Sequence, residues 1–222
     1  AELLQGAGEV IHLSAAMCPQ HRSECVAWIK QLLKEEKPCR VISTQVIEAG
    51  VDVDFPVVYR ALAGFDSIAQ AAGRCNREGR QEHGKVYVFN TDHQTTLSMR
   101  PQVHAASELL PDHPDPLALD AIEKYFGLVY WKHQHQGLSP WDHRDVMGCF
   151  EKGDTPEDLV LNFREADRRF RWIDQQTTPV VVPYGEAGQT IVDQLRNHDE
   201  EPDWRLLRRA QRFSVAVYEN QL

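Results

Sequence analysis

The first ninety residues alternate short β-branched runs with amphipathic stretches in the order strand, helix, strand, strand, helix, strand, and that order leaves few folds open. Residues 9–14, EVIHLS, form the first run. Residues 21–36 follow as a helix in which Val26, Ile29, Leu32 and Leu33 recur at helical spacing. RVIST at 40–44 and PVVY at 56–59 are short and β-branched, as suits strands buried on both faces of a parallel sheet. Asp66 stands where a helix cap belongs, ahead of Ile68, Ala71 and Ala72, so the spacing predicts a helix from 66 to about 76. Gly84 then opens a last strand, KVYVF, at 85–89. The expectation is an α/β domain over residues 1–90, a parallel sheet with flanking helices.

Residues 91–116 change character. Pro101, Pro111, Pro114 and Pro116 interrupt a polar stretch, which predicts an exposed linker. Beyond it, residues 117–222 read as a small α+β domain. Its expected elements are a helix at 117–130, another starting at Thr155-Pro156-Glu157-Asp158, a strand at 178–183, helices at 189–196 and 204–211, and a strand at 213–218. Five cysteines without a C-x-x-C pair fit neither a disulfide framework nor a zinc ribbon, and a reducing cytoplasm is the simpler setting. No apolar run approaches the roughly 18 residues of a spanning helix, so no membrane role is expected. The chain starts at Ala1 and reads as cut from something longer.

Chemistry concentrates between Val41 and Gly79. Gln70-Ala-Ala-Gly-Arg74-Cys-Asn-Arg77 puts two arginines three apart at the expected close of a helix, hence on one face. Paired guanidinium groups grip phosphoryl oxygens and follow charge as it develops on a γ-phosphate. The plainer account is a solvated Arg-x-x-Arg near helix-end carbonyls. Ser43 and Thr44 close a predicted strand, with Gly50 and Asp52 one turn later, and strand ends of open α/β sheets are where ligands bind. Hydroxyls and amides there suit a nucleic-acid phosphate, or simply cap a turn. The Asp52 carboxylate suits a ribose hydroxyl, or an ion pair with Arg74 or Arg77.

Thr44-Gln45 to Asp52 and Gln70 to Arg77 look like the fifth and sixth motifs of superfamily 2 helicases, with Leu13-Ser14 in the place of the fourth. The phrase STQVIEAGVDVDFPVVYRALAGFDSIAQAAGRCNREG resembles, more narrowly, the nuclease-helicase of type I CRISPR interference. The resemblance is strong over 9–90 and looser over 155–222, where PVVVPYGEAGQTIVDQL and RRAQRFSVAVYE carry it. It implies that residues 1–90 are the second RecA-like lobe of a helicase, followed by that family's accessory C-terminal domain. On that likeness Arg77 is the arginine finger and Arg74 its helper, while Gln70, Gly50 and Asp52 face the nucleotide. Leu13, Ser14, Ser43 and Thr44 track single-stranded DNA, with Arg22 a weaker candidate. ATP is shared with another lobe, and Mg belongs to a full-length protein. The implied partners are single-stranded DNA, an RNA-guided surveillance complex and a phage inhibitor.

The sequence holds no G-x-x-x-x-G-K-[ST] phosphate loop and no acidic D-E-x-H-type box for magnesium. His133, His135, Asp112-His113, Asp142-His143 and His198-Asp199 lack partners at ligand spacing, so no bound metal is expected. The expectation is half of a motor, inactive alone. Two other readings are a non-catalytic module that binds the surveillance complex or a phage inhibitor, and the trailing half of a repair helicase. The overall charge of −9 divides unevenly: residues 1–90 carry 10 basic and 11 acidic side chains, residues 91–222 carry 14 and 22. DNA contact is therefore expected to be local to the first part, and the acidic C-terminal part to face protein or act as a lid.

Overall fold

A computed structural model describes residues 9–48, 50–91, 99–131, 142, 144–150, 161–170, 177–197 and 203–218. The helix start expected at 155–158 and the histidines at 133, 135, 143 and 198 lie outside the described residues. The fold is mixed α/β. Strand β1 (Glu9–Leu13) pairs in parallel with β2 (Cys39–Ser43), Ile11 opposite Val41 and Leu13 opposite Ser43. Helix α1 (Pro19–Lys34) makes the crossover, with its proline in the first turn, where a missing N–H breaks no helical bond. Its Ile29 and Leu32 are buried against Ile11 and Val53.

Strands β3 (Val57–Ala61) and β4 (Lys85–Phe89), separated by α2 (Phe65–Ala72), form a second sheet. Strands β5 (Thr177–Val181) and β6 (Ser214–Tyr218) form an antiparallel third. The single parallel sheet expected from the strand order is thus, among the described residues, a set of two-stranded pieces. The cause lies after β2: the chain winds into a 3-10 helix at Gln45–Ile47, and Phe55 then bridges Cys75 rather than β1 or β2.

The stretch expected as a linker, residues 91–116, holds regular structure. Arg100–Leu109 is a helix, α3, and its Ala105 and Ala106 are buried. Pro101 sits in its first turn, the place where proline starts a helix instead of breaking one. Helix α4 (Leu119–Trp131) supplies Ala121, Tyr125 and Val129 to the same core, which also takes Phe65 and Ile68 from α2. The Phe65 and Tyr125 rings stack at 5.1 Å, and the Tyr125 hydroxyl donates to Asp66 Oδ1 at 2.8 Å. Helix α2 starts at Phe65, so Asp66 lies in its first turn and not at the cap assigned to it by sequence, and its carboxylate serves the core of its neighbours. Burial first, and the Asp66 carboxylate second, push the Tyr125 hydroxyl well above its ordinary pKa. A side chain at Gly64 would strike both the Tyr125 hydroxyl and the Asp66 carboxylate.

Two compact units interleave along the chain, where the sequence reading set its segments end to end. One takes the described residues within 1–58, 70–87 and 175–222, and the other those within 59–69 and 88–174. The second holds the core of α2, α3 and α4 just given, and also α5 (Phe163–Arg169), whose Arg169 pairs with Glu165 and Asp145. In the first unit, α6 (Gly185–Arg196) and α7 (Trp204–Ala210) pack around Ile191, Leu206, Ala210 and Phe213.

Tyr184 joins this tail to α1. Its ring stacks on His21 at 4.4 Å, and its hydroxyl donates to Glu24 Oε2 at 2.7 Å. Glu24 also accepts from Gln20 Nε2 at 2.6 Å, and these two bonds, Gln20 first, hold its carboxyl below the ordinary 4.5. The Glu24 bond pushes the Tyr184 hydroxyl up to about 12. A lowered carboxylate contributes stability above its unfolded pKa and loses it as pH falls through the folded one. The unfolding midpoint of the parent chain is therefore expected to drop more steeply below pH 4.5 than that of Glu24→Gln, measured by thermal denaturation. The difference is small, because Glu24 is exposed.

Candidate nucleotide and nucleic-acid site

All ten residues singled out by sequence fall in the first unit. For Arg74 and Arg77 the local geometry differs from the expected shared helix face. Helix α2 ends at Ala72, and Gly73 to Asn76 turn away because their backbone is used elsewhere. Phe55 N–H donates to Arg74 O at 2.8 Å, and Asn76 N–H donates to Phe55 O at 2.9 Å. Asn76 takes a positive φ of 48°, which asparagine tolerates better than most residues. Its side chain brackets the following loop, donating to Gln81 O at 2.7 Å and accepting from Gln81 N–H at 2.9 Å. This closed loop presents Arg77.

The two arginines consequently point to different partners. Arg74 Nε donates to Ile47 O at 3.1 Å, and its Nη2 to Glu48 O at 2.7 Å. The guanidinium thus clamps the carbonyl end of the 3-10 helix that follows β2. Arg77 Nη1 pairs with Asp52 Oδ1 at 3.0 Å, with side chains 44% and 75% exposed. Its backbone N–H donates to Asp54 Oδ1 at 2.7 Å. Asp54 is only 13% exposed, so it fixes the Arg77 backbone while Asp52 holds the side-chain tip loosely.

Asp54 and Asn76 escaped the sequence reading. The signal was present as a second carboxylate two residues after Asp52, and as an asparagine directly before the arginine. Neither says in sequence which backbone group it will bind.

Gly50 has φ +73°, with open space where a Cβ would stand. Gly50→Ala is expected to cost about 1–2 kcal/mol through the backbone alone, and Gly50→Asn less; denaturant unfolding measures both. Gln70 is exposed on the last turn of α2.

At the ends of β1 and β2 the picture is mixed. The Leu13 side chain is buried, and its carbonyl accepts from Thr44 N–H at 3.0 Å. Ser14 is buried too, its hydroxyl accepting from Ala16 N–H at 3.2 Å. Ser43 Oγ donates to the Thr44 carbonyl at 2.7 Å, a bond to the next residue's backbone. Thr44 is exposed, and its side chain makes no capping bond to the 3-10 helix it precedes. Arg22 lies half-buried on α1. Among the described residues, no group of three or more His, Cys, Asp or Glu side chains gathers as a metal site would, and no helix is long and apolar enough to cross a membrane.

Residues 1–80 match the family model described as the C-terminal part of the CRISPR-associated nuclease/helicase Cas3. The chain is 43% identical over 82 residues to a CRISPR-associated nuclease/helicase Cas3 of Haloferax volcanii, covering 36% of this chain and 9% of that protein. It is 26% identical over 208 residues to a CRISPR-associated endonuclease/helicase Cas3 of Thermus thermophilus, covering 80% and 20%. Among solved structures, Cas3 of T. fusca aligns with a TM-score of 0.47 at 20% identity, over 60% of this chain and 18% of that one. The chain thus spans a fifth or less of the curated relatives' length.

Proposed function

From the match of residues 1–80 to the model of the C-terminal part of the CRISPR-associated nuclease/helicase Cas3, we propose that this chain supplies the second motor lobe of an ATP-driven translocase on single-stranded DNA. It is inactive without a lobe that carries the phosphate loop. The observation that carries the reading is the Arg77 arrangement: a guanidinium on a closed loop, its backbone fixed by Asp54, its tip held by an exposed carboxylate. An exposed ion pair of this kind is worth about 0–1 kcal/mol, so the tip exchanges Asp52 for a phosphate at little cost. ATP supplies the phosphoryl group whose negative charge such a tip stabilises. Charge stabilisation of that sort acts only on a nucleotide presented from outside the lobe.

Arg74 acts one step back. By holding the carbonyls of Ile47 and Glu48 it fixes the segment between Thr44, on the DNA side, and Asp52, on the nucleotide side. Thr44 is the hydroxyl best placed to meet a sugar-phosphate backbone, since Ser14 is buried and the Ser43 hydroxyl donates to the Thr44 carbonyl. The RNA-guided surveillance complex as recruiting partner, and nuclease action in a longer protein, belong to the same reading.

The test is phosphate release from ATP with and without single-stranded DNA. The chain alone should stay at background, and joined to a lobe bearing a phosphate loop it should turn over with DNA stimulation. Steady hydrolysis by the chain alone would sink the reading. Asp52→Asn in the joined protein is expected to change turnover by no more than about threefold, because the pair it removes is weak.

A further inference from the structure

Helix α7 and the 3-10 turn after it (Gln211–Phe213) divide sharply into two faces. Leu206, Ala210 and Phe213 recur at helical spacing and are buried with Ile191. Arg205, Arg208, Arg209 and Arg212 recur at the complementary spacing, i, i+3, i+4 and i+7, and all four are exposed. Beside them Trp204 is 64% exposed, with the Arg205 guanidinium 5.4 Å from its ring centroid. The four arginines, Trp204, Gln211 and Pro19 of α1 line one open groove.

Among the described residues none of the four arginines is in an ion pair. Arg209 reaches only the Gln194 amide, at 3.4 Å. Of the nearby carboxylates, Asp203 Oδ1 accepts from Leu206 N–H at 2.7 Å, Asp193, which lines a neighbouring hollow with Arg205 and Arg209, accepts from Gln189 Nε2 at 2.9 Å, and Glu24, which feels Arg212, is held by Gln20 and Tyr184. In a chain of net charge −9 this is a concentrated basic strip that the described acidic side chains leave unmatched. Its geometry suits a flexible polyanion carrying flat apolar groups: guanidinium forks for phosphates, and an exposed indole for stacking. The exposed indole favours a single strand, whose unpaired bases are free to stack on it, over a duplex, whose bases are already stacked on one another.

We infer that the arginine face of α7, with Trp204, is a second binding site for single-stranded nucleic acid, outside the helicase motifs. It adds a nucleic-acid contact to an acidic C-terminal part that was expected to face protein or act as a lid. The inference extends the proposed DNA-tracking role but needs no nucleotide, so the two fail separately.

The test uses the whole chain and a fluorescent oligo-dT strand, without ATP, across a salt series. Arg208→Gln with Arg212→Gln should weaken binding at least tenfold and reduce the salt slope by about 0.7 for each phosphate left without its arginine. Trp204→Ala should weaken it about tenfold with the salt slope unchanged. These side chains are exposed, so unchanged circular dichroism and unfolding midpoints are expected to accompany the losses. Binding that is indifferent to all three substitutions overturns the inference. So does equal affinity for duplex of the same length, or for polyglutamate with no effect of Trp204→Ala, which would make the strip a dock for an acidic protein. Arg77→Ala, which the proposed motor role needs, should leave oligo-dT binding unchanged.

Discussion

In a protein that joins this chain to a phosphate-loop lobe, Arg77→Ala should lower DNA-stimulated ATP turnover by about a thousandfold or more, with KM changed only a few-fold. The split follows from where the side chain rests. Before reaction its tip is satisfied by Asp52, an exposed and cheaply broken pair, so little ground-state binding depends on it. Charge on the departing phosphoryl group then offers a stronger partner in a site closed to water. Arg77→Lys should recover little of the rate, since an ammonium cannot offer the planar fork. Turnover within a few-fold of the parent in Arg77→Ala would show that another group does this work.

Arg74→Ala should fail in a different way. Removing a guanidinium that makes two hydrogen bonds to the carbonyls of Ile47 and Glu48 is expected to cost about 2 kcal/mol of stability, because part-buried acceptors lose a charged donor. The same variant should lower turnover about a hundredfold in the joined protein, through displacement of the segment that runs from Thr44 to Gly50. Arg74→Lys should keep one of the two bonds at best and fall between. Chemical denaturation measured beside turnover separates the roles: Arg77→Ala loses activity at unchanged stability, whereas Arg74→Ala loses both. An Arg74→Ala chain as stable as the parent would contradict its assignment as the clamp.

Much of the first unit is legible in sequence because its signals are local. Ile29 and Leu32 at helical spacing, and β-branched runs at 39–43 and 57–61, need no distant partner to declare themselves. The failures occur where a distant group decides. Helix α2 stops at Ala72, four residues early, since Phe55 captures the backbone of Arg74 and Asn76 from across the fold. That capture sends Arg74 and Arg77 to different carbonyl and carboxylate partners, which spacing on a supposed helix could not show. Pro101 reads as a breaker, yet in the first turn it starts α3, and only the burial of Ala105 and Ala106 against α4 reveals the helix. Tyr184 on Glu24 and His21 ties residues 160 positions apart, so the interleaving of the units is invisible locally. The α7 arginines are readable in sequence, but averaging their charge over the acidic C-terminal part hides them.

Arg77 is expected to favour the reacting phosphoryl group over the resting nucleotide. The most direct measurement is the affinity of the joined protein, with and without Arg77→Ala, for ATP and for ADP with a metal fluoride that imitates the transferring phosphoryl. The expected result is a loss of about a thousandfold for the fluoride complex and no more than a few-fold for ATP. Equal losses for both, or no loss for either, would contradict it.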